Sequence, residues 1–79
     1  MGIDDFEQIA RATNAVARVV DELAGRTPGF YERLGTDRRR LVRELAPRAL
    51  SESGYADLEA VVRSTRRALL KLLAERVDG

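Results

Sequence analysis

The sequence predicts an all-α protein, a compact four- or five-helix bundle with long first and last helices. Three observations carry this expectation. Apolar residues recur at spacings of three and four over two long stretches, no stretch alternates with period two over the length of a strand, and Ser, Thr, Asp, Gly and Pro fall between the periodic segments as helix starts and stops.

From Asp4, the residues Phe6, Ile9, Ala10, Thr13, Val16, Ala17, Val20, Leu23 and Ala24 form one helical stripe that is expected to face a core. Asp4 and Glu7 have the spacing of a capping box, and Gly25 is expected to close the helix in the left-handed conformation. Thr27 and Pro28 then predict a restart, because proline at the first helical position sacrifices no hydrogen bond. This short second helix carries Phe30, Tyr31 and Leu34 and stops at Gly35.

Thr36 or Asp37 caps a third helix, with Leu41, Val42, Leu45 and Ala46 inward and Arg38, Arg39, Arg40 and Arg43 mostly outward. Pro47 offers no amide to the Arg43 carbonyl, so a kink or break is expected there, followed by a turn through Ala49 and Leu50. After Ser51, Ser53 and Gly54, a last helix is predicted from about Tyr55 to Arg76. Its inward positions are Leu58, Val62, Thr65, Leu69 and Leu72, broadened by Val61, Ala68 and Leu73. The two long helices are expected to pack antiparallel, with the shorter ones across their apolar faces.

At 79 residues, residues 1–79 read as a single domain with one core. The chain has neither His nor Cys, which removes an imidazole base, a thiolate nucleophile, the usual zinc ligands and any disulfide. Apolar runs such as Ala68–Leu70 are far too short to span a membrane, and a cytoplasmic, non-membrane protein is expected.

Net charge is +1, from 14 Lys and Arg against 13 Asp and Glu, but it is unevenly distributed. Residues 1–25 hold five acids and two bases, residues 26–50 three acids and seven bases, and residues 51–79 five of each. The molecule is therefore expected to be dipolar.

Candidate chemistry is sparse. Asp4, Asp5 and Glu7 could hold a hard cation, but at a helix start they more simply complement the macrodipole. Thr36, Ser51, Ser53 and Ser64 have no evident base to activate them, and no glycine precedes a phosphate-cradling Lys-Ser/Thr sequence. No enzyme activity, cofactor, metal or small-molecule substrate is expected. Phe6, Phe30, Tyr31 and Tyr55 read as core and edge residues. Arg63, Arg66, Arg67 and Lys71 read as the outward face of the last helix, with Glu59 and Arg63 placed for i,i+4 pairing.

Arg38, Arg39, Arg40 and Arg43 form the strongest polar feature, with Arg48 beyond the proline. Two partners suit them. One is an acidic protein surface, such as the Asp4, Asp5 and Glu7 end of a second copy, since basic faces on small domains commonly meet acidic protein. The other is nucleic acid, with residues 28–34 and 36–46 as a helix-turn-helix, although Pro47 and the near-neutral total weigh against it.

The segment Phe30-Tyr31-Glu32-Arg33-Leu34-Gly35-Thr36-Asp37-Arg38 resembles the stretch of an acyl carrier protein that leads into its phosphopantetheine site. Arg38 stands where that family has its modified Ser, so carrier function is not expected. Over roughly residues 36–77, Asp37 to Leu45, Asp57 to Val62 and Ala68 to Leu73 resemble the small helical, death-fold-like effector-associated domains of bacterial conflict systems. That resemblance implies a non-enzymatic adaptor that docks another helical domain, or its own copy, through complementary charged faces.

Overall fold

The computed structural model describes residues 3–54 and 57–75, with side chains from Phe6 onward. Four helices follow one another: α1 (Ile3–Arg26), α2 (Phe30–Leu34), α3 (Arg38–Ser53) and α4 (Leu58–Glu75). No strand occurs among the described residues. The expected bundle of long first and last helices is present. The Asp4 cap and the Tyr55 and Arg76 boundaries lie outside the described side chains and residues.

Three long helices share the core and α2 closes one end. Side-chain pairs fix their directions. Asp21 near the end of α1 bonds Arg38 at the start of α3, and Ser53 at the end of α3 donates to the Ala60 carbonyl in the first turn of α4, at 3.2 Å. Glu22, late in α1, meets Arg66 midway along α4, while Arg11 and Ala15 share a groove with Leu58 at the start of α4. The chain therefore runs up, down and up. The first and last helices are parallel to each other and antiparallel to α3, which corrects the expected antiparallel pairing of α1 with α4. The reason is connectivity: the short links before α3 and before α4 each reverse the chain once.

The core consists of Ala12, Val16, Val19, Val20 and Leu23 from α1, Phe30 and Leu34 from α2, Leu41, Leu45, Ala46 and Ala49 from α3, and Val61 and Leu69 from α4. Each fully buried Val, Leu or Phe contributes about 1.5–3 kcal/mol. Leu58, expected inward on α4, is 40% exposed, and three residues of α1 expected to face the core are exposed as well: Phe6 at 79%, Ile9 at 43% and Ala10. These three keep the helical spacing, but the first turns of α1 extend past the part of the bundle where α3 and α4 supply neighbours.

Helix ends account for the remaining departures. Gly25 lies within α1, which continues to Arg26, and the left-handed turn falls instead at Gly29, φ 68°. Gly29 rather than Thr27 or Pro28 therefore starts α2, which ends as expected at Gly35, φ 65°. Both positions disfavour a side chain because positive φ crowds a Cβ. Asp37 is the cap of α3, its Oδ1 accepting from the Arg40 amide at 2.9 Å. Pro47 does not break α3, which continues to Ser53. Ala46 and Ala49 are buried on either side of it while Pro47 and Arg43 are exposed, so packing holds a helix that local propensity would end. Asp57 caps α4, its Oδ1 accepting from the Ala60 amide at 3.1 Å.

Candidate functional site

At the start of α3, the Asp37 cap fixes the helical register and thereby sends Leu41 and Leu45 inward while Arg38, Arg39, Arg40 and Arg43 project into solvent. The four arginines are not equivalent. Arg38 Nε donates to Asp21 Oδ1 at 2.7 Å and Arg38 Nη2 to Asp21 Oδ2 at 3.0 Å, a bidentate fork across α1 and α3. The hydrogen bond from Arg38 holds the Asp21 carboxyl below its ordinary value of 3.8, against the opposing effect of desolvation. Arg38 is correspondingly harder to deprotonate. Beside this pair, partial burial pushes the Tyr31 phenol up, with the negative charge of Asp21 adding to it.

Arg39, Arg40 and Arg43 form no ion pair among the described residues and are exposed. The basic face expected from sequence thus narrows to these three, with Arg38 compensated within the molecule.

On the acidic side, Glu7 is exposed, and Asp4 and Asp5 lie in the first turn of α1, their side chains outside the described set. Asp21 and Glu22, the other acids of the first 25 residues, are both engaged: Asp21 by Arg38, and Glu22 by Arg66 at 3.3 Å and Arg26 at 3.8 Å. Glu7 and Asp21 are separated by roughly 21 Å of helix rise. Because α3 begins beside Asp21, the structure does not bring Glu7 and the arginines together. It places them toward opposite ends of a molecule measuring 45 × 19 × 17 Å.

Along α4, Arg66 is tied to Glu22, and Ser64 Oγ donates to Glu52 Oε1 at 2.7 Å. The expected Glu59–Arg63 ion pair does not form. Two features escaped the sequence. The Asp21–Arg38 and Glu22–Arg66 contacts join residues far apart in the chain, which spacing rules do not reach. A groove of about 390 Å³ between α1 and α4 has Ala15, Val19, Leu58 and Val62 as its apolar part, with Arg11 and Arg18 on one side. The signal was present in the sequence, since Leu58 and Val62 lie one turn apart, but the expected antiparallel pairing placed other residues opposite them.

Among the described residues, no group of three or more Asp or Glu is placed to hold a metal ion, and no helix is long and apolar enough to cross a membrane. No protein-family model matches the chain, and comparison with curated proteins and with solved structures finds no significant match.

Proposed function

We propose that this protein is a non-enzymatic interaction module, a cytoplasmic adaptor that docks another helical domain or its own copy through complementary charged faces. One observation carries the reading: Arg39, Arg40 and Arg43 stand exposed and unpaired among the described residues at one end of the bundle, while Asp4, Asp5 and Glu7 occur together at the start of α1, with Glu7 exposed and in no ion pair among the described residues. Two such ends attract in a second molecule but cannot meet within one. The helical effector-associated domains that the second half resembles imply the same adaptor role.

Sedimentation equilibrium of the full chain at low and high salt tests the proposal, because the Debye length falls from about 10 Å at 0.1 M to about 3 Å at 1 M. Self-association that weakens with salt, and weakens again in an Arg39→Glu/Arg43→Glu variant of unchanged helix content, is expected. Salt-indifferent association, or none, overturns docking of its own copy through charged faces. Duplex DNA binding with a steep salt slope would instead assign the same arginines to nucleic acid.

A further inference from the structure

We propose that the groove between α1 and α4 is a docking site for the first turns of α1 from a second copy of this chain. The inference rests on the interaction-module reading and deepens it: the acidic start of α1 remains the donor, and in place of Arg39, Arg40 and Arg43 it takes an acceptor that also offers an apolar anchor.

The acceptor is apolar at its centre and basic at its rim. Val19 is buried at the floor of the groove, Ala15 and Val62 are half-buried, and Leu58 is 40% exposed. Leu58 and Val62 continue toward Arg63, so that Arg11, Arg18 and Arg63 surround the apolar strip, all exposed and without an ion pair among the described residues. Arg66 is held by Glu22, and Glu59 is the other acid on this rim.

The donor is its chemical complement. Phe6 and Ile9, one turn apart on α1, are the most exposed large apolar pair on that helix, at 79% and 43%. Acidic residues flank them: Glu7 between, Asp4 and Asp5 before. An acidic helix end with two apolar anchors suits a groove with an apolar strip and arginine edges, the helix-in-groove mode of recognition.

The occupant must come from another molecule. Phe6 lies roughly half a turn out of phase with Ala15 on the same rigid helix, so it points away from the groove that α1 helps to build. A second copy supplies the acid-flanked pair in the right form at no further assumption, and it leaves its own groove open to receive another.

Full-length protein measured by sedimentation velocity over a concentration series tests this. Wild type is expected to exceed the 8.8 kDa monomer as concentration rises. Phe6→Glu, which removes the donor, and Leu58→Glu, which removes the acceptor, are each expected to weaken association by roughly tenfold or more while circular dichroism stays unchanged. Mixed together they are expected to recover a heterodimer, because one retains the groove and the other the α1 end. Phe6 is so exposed that its substitution leaves the core intact, which keeps the test decisive if Leu58→Glu unfolds. A wild type that stays monomeric, a Phe6→Glu variant that associates as wild type does, or two folded variants that do not complement would each overturn the proposal. Loss of association in Arg39→Glu/Arg43→Glu with none in Phe6→Glu would reject the groove and leave the charged-face reading standing.

Discussion

Replacing Thr65 by Val is expected to stabilise the protein. Thr65 is 1% exposed in the middle of α4, and its Oγ1 is buried with no hydrogen-bond partner. A helical threonine ordinarily donates to the carbonyl four residues back, as Thr13 does to Ile9 at 2.8 Å, and Thr65 does not. Leaving a buried hydroxyl unsatisfied costs about 1–3 kcal/mol. Valine has the same shape, the same branch at Cβ and a nearly equal helix propensity, so the exchange removes that cost without opening a cavity. The expected gain is about 1–2 kcal/mol, against a total of about 4–12 kcal/mol for a chain of this size. At about 4–8 °C per kcal/mol, Tm should rise by about 4–16 °C. Urea unfolding followed by far-ultraviolet circular dichroism would measure it, with the m-value unchanged. Thr65→Ser keeps the hydroxyl and loses the methyl, and should cost about 1 kcal/mol. A Thr65→Val protein less stable than wild type would refute the reasoning, because it would mean the hydroxyl has a partner in solution, from the Val61 carbonyl or a bound water.

Adjacent leucines of α4 should behave differently under the same change. Leu69→Ala, at a fully buried site, is expected to cost about 3 kcal/mol in denaturant unfolding, and Leu70→Ala, at a residue 51% exposed, less than about 1 kcal/mol. Equal losses would contradict the orientation of the helix. Pro47→Ala restores an amide facing the Arg43 carbonyl in the interior of α3 and should raise stability by about 1–2 kcal/mol in the same assay, less than the full proline penalty because alanine also loosens the unfolded chain. Asp21 is held below its ordinary 3.8 by Arg38, so the stability it contributes is present above that value and disappears as pH falls through the lower folded value. Thermal melts against pH should therefore show Asp21→Asn below wild type at neutral pH and converging with it in acid, and parallel curves would disprove the linkage.

Much of the fold is written locally. Three- and four-residue apolar spacing determines where α1 and α4 run, Gly35 and Asp37 determine where α2 stops and α3 starts, and the Arg38–Arg43 cluster is visible as a basic face before any coordinates. These depend on interactions within a turn or two of helix, which residue order alone specifies. What depends on neighbours from elsewhere in the chain was not legible. Pro47 stays inside α3 because Ala46 and Ala49 pack against other helices, an energy absent from local propensity. Phe6 and Ile9 repeat correctly along α1 yet remain exposed because no helix lies opposite them. Periodicity names the side of a helix that is apolar, and only the arrangement of the other helices decides how far along that side a core exists. The same holds for charge. Arg38 looks identical to Arg39 and Arg40 in the sequence, and it is the closeness of Asp21, seventeen positions earlier, that neutralises one and leaves the others to the solvent. Coulombic pairing depends on distance in space, which the chain acquires only when the up-down-up arrangement of α1, α3 and α4 has formed.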